Sequence, residues 1–425
     1  MKSVHMLINQ GRKYGQHYIM WRRKLWSNTD GTQDGVILTI HETREKLKSL
    51  VGAQLIWGSS TEKQDVLPVA SSQDELPVRS MSDSFRKAII PLGSNPRLKE
   101  KYTNYYNGIR FGRILEDLDT FAVAISYTHT MDSCDADKKS PLSIVTALVD
   151  RIELSQDGIV PDKDIKMSGK VTWAGKTSME ITMELEQEID NEWKRILDAK
   201  FLMVARNPVT KSSAVINKLQ PNTTEEERLF KLGEECKAKR MLESKKTLLK
   251  EAPDEEERLL IHNLFLETMD PNAHTFKVRI KPENSAWMEE TILKNLVICM
   301  PEQRNLYNKI FGGFLMRKAF ELAFANASLF CKSRPHIEVV DDIAFKKSVE
   351  VGSFLFLSSE IVYTLDTRLL IKVHAEVVNP FDESRETTND FYFVFNTRDV
   401  KVRRVIPKTY AESMLYLDGK RHFEH

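Results

Sequence analysis

The stretch Asn104-Tyr-Tyr-Asn-Gly-Ile-Arg-Phe-Gly112 returns further along the chain as Asn305-Leu-Tyr-Asn-Lys-Ile-Phe-Gly-Gly313. Both copies read N-x-Y-N-x-I-x-x-G, the shift from Gly112 to Gly313 is 201 residues, and each copy runs directly into a long apolar segment with helical spacing. The pattern points to one domain duplicated within one chain. The copies are most informative where they disagree. Seven residues past the shared glycine, the first carries Asp119 and the second Phe320. One half keeps a carboxylate on its helix where the other has an aromatic ring.

Outward from each motif the order of elements repeats. In the first copy a strand is expected over 84–91, closed by the turn cluster Pro91-Leu-Gly-Ser-Asn-Pro96, then a helix over 110–128. Alternating stretches follow at Ile144–Leu154, Ile165–Trp173, Thr177–Glu186 and Phe201–Ala205, with a hairpin at Ala174-Gly-Lys176. In the second copy the strand is Leu293–Met300 and the helix 312–331. Strands then follow at Ile337–Phe345, Ser353–Thr364, Leu369–Asn379 and Phe391–Asn396. Pro141 and Pro335 follow the two helices at a shift of 194. One long helix with several antiparallel strands, twice over, is an α+β architecture. Residues 206–285 break the pattern with charged helical stretches such as Asp254-Glu-Glu-Glu-Arg258 and read as a solvated connecting segment.

The divisions expected are therefore a leader at 1–30, an extension at 31–80 with a short helix at His41–Val51, a first domain at 81–206, a helical linker at 207–285 and a second domain at 286–425. Residues 1–29 hold six Lys and Arg and no acid, which suits a mitochondrial targeting leader. The net charge of +1 gives no global field toward nucleic acid, and no apolar run is long enough to span a membrane. Cys134, Cys236, Cys299 and Cys331 are scattered without metal spacing, so neither disulfides nor structural zinc is expected.

The second helix, Phe311-Gly-Gly-Phe-Leu-Met-Arg-Lys-Ala-Phe-Glu-Leu-Ala, is apolar almost all round and belongs in a core. The first has the stripe Ile114, Leu115, Leu118, Phe121, Ala122, Ile125. At about 100° per residue, Asp117 and Asp119 both fall on the borders of that stripe and Glu116 points away. Periodicity does not choose between the two aspartates. Gly312-Gly313 at a helix start leaves backbone N–H groups facing outward, and such an end attracts the negative charge that builds on a carbonyl oxygen during acyl transfer. A carboxylate in one copy and an amide-bearing helix end in the other suggest a composite site between them.

These stretches resemble the hotdog-fold acyl-CoA thioesterases that carry two hotdog domains in one chain. The likeness rests on Arg110-Phe-Gly-Arg-Ile-Leu-Glu-Asp-Leu-Asp119, Ser140-Pro-Leu-Ser-Ile-Val-Thr-Ala-Leu-Val-Asp150 and Phe311-Gly-Gly-Phe-Leu-Met-Arg-Lys-Ala-Phe-Glu321. It extends to Val349-Glu-Val-Gly-Ser-Phe-Leu-Phe-Leu-Ser-Ser359 and Pro407-Lys-Thr-Tyr-Ala-Glu-Ser-Met-Leu-Tyr-Leu-Asp-Gly-Lys-Arg-His-Phe423, and covers roughly residues 80–425. The resemblance implies two tandem hotdog domains, each an antiparallel sheet wrapped around a central helix, that share their active site and hydrolyse fatty acyl-CoA to free acid and coenzyme A in the mitochondrial matrix. It implies an acid on one central helix that activates water or attacks directly, and an Asn and helix-start amides from the partner half that hold the thioester carbonyl.

Alignment on the shared glycine places that acid at Asp119. The Asn is assigned to Asn308 first and Asn305 second, and the amides to Gly312 and Gly313. Phe320 should silence the reciprocal site, since Glu321 is turned by about 100° from the needed direction, which leaves one working site per chain. Arg334, Lys346 and Lys347 are candidates for binding the coenzyme A phosphates. The chemistry requires no cofactor and no metal. The resemblance further implies a homotrimer, with acyl-CoA and coenzyme A as the small-molecule partners.

Other readings are weaker. Gly175-Lys176-Thr177 lacks the glycine that a phosphate loop needs at 170, where Lys170 stands. No G-x-S-x-G or H-E-x-x-H occurs, and the isolated His129 reads as structural. A non-catalytic acyl-CoA-binding scaffold and a hydratase or dehydratase are the alternatives, the latter disfavoured because neither motif holds a histidine.

Overall fold

The computed structural model describes residues 37–51, 68–131, 140–155, 158–190, 192–243, 247–273, 275–305, 309–379, 381 and 384–424. The basic leader, Cys134 and Asn308 lie outside the described residues. The ends of the duplicated motif are closed by the same backbone bonds in both copies. In the first copy the Asn104 N–H donates to Gly108 O (2.8 Å) and the Arg110 N–H to Tyr102 O (2.7 Å). In the second the Asn305 N–H donates to Lys309 O (2.5 Å) and the Phe311 N–H to Gln303 O (3.1 Å). Every partner pair keeps the shift of 201, as do the helices that follow, Phe111–Thr130 and Gly312–Cys331.

In chain order the helices are α1 (Ile40–Val51), α2 (Pro96–Tyr102), α3 (Phe111–Thr130), α4 (Thr224–Glu243), α5 (Glu255–Leu266), α6 (Gly312–Cys331) and α7 (Tyr410–Glu424). The strands run β1 (Leu38–Thr39), β2 (Arg86–Ile90), β3 (Ser143–Val149), β4 (Ile152–Glu153), β5 (Ile165–Ala174), β6 (Ser178–Ile189), β7 (Glu192–Arg206) and β8 (Ser285–Trp287) in the first part. They continue as β9 (Leu293–Ile298), β10 (His336–Val340), β11 (Ile343–Ala344), β12 (Phe354–Leu365), β13 (Arg368–Val378), β14 (Arg385–Asn396) and β15 (Arg404–Ile406). One sheet has the order β1-β2-β5-β6-β7-β3-β11 and the other β4-β10-β14-β13-β12-β9.

Helix α3 packs its stripe of Ile114, Leu115, Leu118 and Phe121 on the first sheet, and α6 lies on the second over Phe391, Phe393 and Phe395. Beyond the helices the shift falls to 190. The bulge at Val171/Trp173 recurs at Ile361/Tyr363, and that at Leu185/Glu186 recurs at Ala375/Glu376.

Three expectations need correction. The single strands read at Ile144–Leu154 and Ile337–Phe345 are each broken, the first around Asp150-Arg151 and the second around Asp341-Asp342. The break lets the chain change sheets: β4 pairs with β10 of the second sheet, and β11 pairs with β3 of the first. An open sheet edge in each half thereby finds a strand from the other. The strand read as Phe201–Ala205 begins earlier, at Glu192, because its first four residues, Glu192, Trp193, Lys194 and Arg195, overhang the core with exposed side chains and show no alternation.

The third correction concerns 207–285, which is more than a solvated linker. Pro221-x-Thr223-x-x-Glu226-x-x-Leu229-x-x-x-Gly233 matches Pro407-x-Thr409-x-x-Glu412-x-x-Leu415-x-x-x-Gly419 at a shift of 186. The two stretches start α4 and α7 with the same cap. The Glu226 N–H donates to Thr223 Oγ1 (3.2 Å) while the Glu226 carboxylate accepts the Asn222 N–H (2.8 Å). The Glu412 N–H donates to Thr409 Oγ1 (3.2 Å) and its carboxylate accepts the Lys408 N–H (2.5 Å). Each helix then lies across the outer face of its own sheet at the bulge. A Cβ on Gly233 would stand 2.5 Å from Trp173 Cβ, and one on Gly419 2.6 Å from Val362 Cγ2, so only glycine allows the approach. Helix α4 is thus the first half's counterpart of α7, and α5 is tied down in turn by Arg421 of α7, whose Nε donates to Glu257 at 2.6 Å.

At the sheet crossing, His422 Nδ1 lies 2.5 Å from Asp341 Oδ2, and Arg151 Nη1 lies 3.3 Å from Asp341 Oδ1. Burial alone would lower the His422 pKa, but the bond to Asp341 and its charge leave it raised. A raised histidine stabilises the fold fully below its unfolded pKa of about 6.5 and stops doing so as pH rises through the folded value. His422→Ala is therefore expected to cost about 1–2 kcal/mol of unfolding free energy at pH 6 and less at pH 9, read from urea denaturation at both pH values.

Candidate active site

Helices α3 and α6 run side by side and antiparallel. Arg110 pairs with Glu321, Glu116 with Arg317, and Asp119 with Gly313, one number rising as the other falls. The seam brings the carboxylate of the first half to the helix start of the second. Asp119 Oδ2 accepts the Gly313 N–H at 2.6 Å, and Oδ1 accepts the Thr146 hydroxyl at 2.5 Å. The approach is possible because residue 313 has no side chain: a Cβ there would lie 2.9 Å from the backbone Cα of Glu116. Asp119 is fully buried. Burial pushes its pKa up to about 6, against the pull of the bonds from Thr146 and Gly313, and nearby Glu116 adds to the rise.

Periodicity left Asp117 and Asp119 undivided, and their surroundings separate them. Asp117 turns toward α1 and α2, where it accepts from the Tyr102 hydroxyl and pairs with Arg44 at 3.0 Å. Asp119 alone of the two lines the cleft. The expectation that Glu116 points away is corrected. Away from its own sheet means toward α6, and Glu116 is buried with Oε2 3.0 Å from Arg113 Nη1 and 3.3 Å from Arg317 Nε.

The cleft has a volume of about 1440 Å³ and is walled by both halves. Gly312, Asn305, Lys346 and Lys347 line it. Lys346 pairs with Asp390 and Lys347 with Glu386, both half-exposed. Arg334 is not brought there; its guanidinium lies 4.9 Å over the Tyr106 ring. Asn305 Oδ1 accepts the Lys309 N–H at 3.1 Å. Sequence reasoning missed Arg206, Lys211 and Lys309, which also line the cleft. Lys211 is close enough to Lys309 for its charge to reinforce the lowering of the Lys309 pKa by burial.

Thr146 was missed too. Its counterpart across the β3 and β10 bulges is Ile337, at a shift of 191. At the opposite end of the seam, a Cβ on Gly112 would meet Arg317 Cγ at 3.1 Å and Phe320 Cδ1 at 3.3 Å. Phe320 stacks among Phe111, Phe324, Phe393 and Phe395. His129 is buried far along α3, with Nε2 3.1 Å from Asn217 O, and burial lowers its pKa to about 4.

The chain is similar to the human protein called acyl-coenzyme A thioesterase 9, mitochondrial, with 50% identity over 392 residues, covering 91% of this chain and 89% of that one. This chain belongs to the mitochondrial acyl-coenzyme A thioesterase family. A hop (Humulus lupulus) relative, acyl-coenzyme A thioesterase 4, mitochondrial, is 36% identical over 362 residues, covering 82% of this chain and 67% of that one. Among solved structures, an acyl-CoA hydrolase from Staphylococcus aureus is 20% identical, covers 33% of this chain and 88% of its own, and has a TM-score of 0.32. No protein-family model matches the sequence.

In this thioesterase the raised Asp119 pKa means that the folded chain holds the proton more tightly than the unfolded one. Stability attributable to that proton is present at low pH and lost as pH rises from about 4 to about 6. Asp119→Asn, which can still accept the Gly313 N–H, is expected to raise unfolding free energy by about 1–2 kcal/mol at pH 7.5 and not at pH 4, measured by thermal or urea unfolding.

Proposed function

We propose that the enzyme hydrolyses acyl-CoA at one composite site per chain, in which the first half supplies the base and the second half the oxygen-holding groups. Membership of the thioesterase family makes it a thioester hydrolase, and like its named relatives it is mitochondrial. The observation that carries the composite reading is the Asp119 carboxylate resting on the Gly313 N–H of the opposite half. We take each half to be a hotdog, its sheet wrapped around α3 or α6, with the matrix as the compartment and a trimer as the assembly.

The bonds from Gly313 and Thr146 fix the carboxylate and keep part of its charge despite burial. In that position Asp119 takes a proton from water as the water oxygen attacks the thioester carbon. The Gly312 amide and the Asn305 carboxamide, which line the same cleft, hold the oxygen as it becomes an oxyanion. The carbon–sulfur bond then breaks, and the proton returns from Asp119 to the departing coenzyme A sulfur. Helix-start amides are suited to that charge because they are fixed in place before it forms. Of the asparagines on the cleft wall, Asn207, Asn305 and Asn379, Asn305 is the one in the segment leading into α6, and it is given the oxygen-holding role here beside Asn308, the first choice from the sequence. Arg206, Lys211, Lys309, Lys346 and Lys347 gather at the β3–β7 end of the cleft and suit the phosphates of coenzyme A. The reciprocal pair of positions holds Phe320 and Ile337, neither of which can accept a proton.

Free thiol release from butyryl-CoA tests the reading. Asp119→Ala is expected to lower kcat by about 10² to 10⁴, and Asn305→Ala by about 10² to 10³, with both variants folded by circular dichroism. Wild-type log kcat/KM should fall with unit slope below about pH 6, as Asp119 takes up its proton. Undiminished thiol release by folded Asp119→Ala would refute the composite site. Phe320→Ala, by contrast, should leave the pH profile of the remaining site in place.

A further inference from the structure

Helix α1 belongs to the N-terminal extension, yet it reaches the cleft. Arg44, Leu47 and Lys48 all line it, three and four residues apart on one face of α1. Arg44 fixes that approach. Its Nη2 lies 3.0 Å from Asp117 Oδ1 and 3.3 Å from Thr120 Oγ1, residues that flank Asp119 along α3. Asp117 also accepts from the Tyr102 hydroxyl of α2, so the clip joins three helices.

The second half shows the same helix face without such a cover. At the shift of 201, Asp117 and Thr120 correspond to Lys318 and Glu321 of α6. These two pair with each other at 3.5 Å, and their side chains are 30% and 34% exposed. Asp117 and Thr120 are buried. Among the described residues, then, the cover lies over the helix that bears the acid and not over its copy. Next to the acid the cleft wall turns apolar. Val123 stands one helical turn past Asp119, and Ile144 lies two residues from Thr146, whose hydroxyl bonds the acid. With Leu47 of α1 they give three aliphatic side chains on the cleft wall, each mostly buried and part of the continuous core. Hydrocarbon laid against them leaves water at little cost in ordering, because the core already fixes all three.

We propose, building on the hydrolase reading above, that α1 is a wall of the substrate site: Arg44 clips it to α3, and Leu47 packs against the aliphatic part of bound acyl-CoA. The acyl chain and the pantetheine arm offer the same hydrocarbon to that wall, and the ligands below tell them apart. Arg44 is a positioning residue and Leu47 the contact. The extension ahead of the first domain thus serves as binding surface rather than as a spacer.

Calorimetric binding of the non-hydrolysable thioethers S-butyl-CoA and S-tetradecyl-CoA, and of coenzyme A itself, tests this independently of turnover. Leu47→Ala is expected to raise the thioether Kd by about fivefold or more, the loss that follows when one or two methylene contacts are removed. Arg44→Met/Asp117→Asn removes the clip without leaving a bare buried carboxylate, and should raise Kd at least as much. In thiol release from butyryl-CoA both variants should raise KM with kcat little changed. A smaller folded fraction would lower kcat and leave KM alone, so this split separates a binding wall from a structural prop. A rise in Kd that grows from the butyl to the tetradecyl ligand places the acyl chain at Leu47. An equal rise for all three ligands, coenzyme A included, places the pantetheine arm there. An unchanged Kd in folded Leu47→Ala, or in the folded double variant should Leu47→Ala not fold, would overturn the proposal while leaving the hydrolase reading intact. Thioether binding by a wild-type protein that releases no thiol would instead strike the hydrolase reading and leave the wall in place.

Discussion

The structure depends on the contact of a buried carboxylate in one half with a backbone amide in the other. Asp119 is out of water, and its charge is tolerable only because Gly313 and Thr146 donate to it. That requirement sets the spacing of the two central helices. It explains the glycine at 313, whose missing side chain lets the backbone of α6 touch the backbone of α3 at Glu116. It also fits the burial of α3 on nearly every side and of the first turns of α6, with a sheet beneath each and the other helix alongside. An acid that periodicity places on the border of the first half's apolar stripe is thereby inside the protein.

Duplication followed by divergence accounts for the rest of the seam. Positions at the Asp119 end of the seam, Phe311, Phe314, Asp119 and Thr120, correspond to Arg110, Arg113, Phe320 and Glu321 at the other. The exchange is reciprocal. Where one end has the Asp119 acid and hydroxyls among aromatic walls, the opposite end has an aromatic plug closed by an ion pair. Two identical subunits related by symmetry would be bound to change both ends together. A single chain with two copies can let the two ends differ, one with a buried acid and the other with aromatic packing.

Much of this was legible in the sequence because the copies could be laid over each other. The shift of 201 is unbroken from the Asn loop to the end of the helix, so Asp119 and Phe320 stood opposite each other before any coordinates. Thr146 escaped because the connection after the helix differs in length between copies. Its counterpart Ile337 lies at a shift of 191, and the register was lost just where it was needed. Helix α4 escaped for a related reason. Its match to α7 consists of a few residues spread through a charged segment, and the signal that identifies it, a glycine facing Trp173, is a contact between elements far apart in sequence. Arg334 was misplaced because proximity in sequence to the end of α6 says nothing about which side of the seam a residue reaches. Glu116 was misdirected because a helical wheel knows one sheet and not the neighbouring helix.

The exchange of short strands at Asp150 and Asp341 has a consequence for how the protein comes apart. Since β4 completes the sheet of the second half and β11 that of the first, neither half keeps its full hydrogen-bond ladder when separated. The long intervening segment tempts one to think of two beads on a string that could be cut apart or expressed singly. The stitching makes the pair melt as a single cooperative body, and a nick in the segment between them would leave the halves locked together.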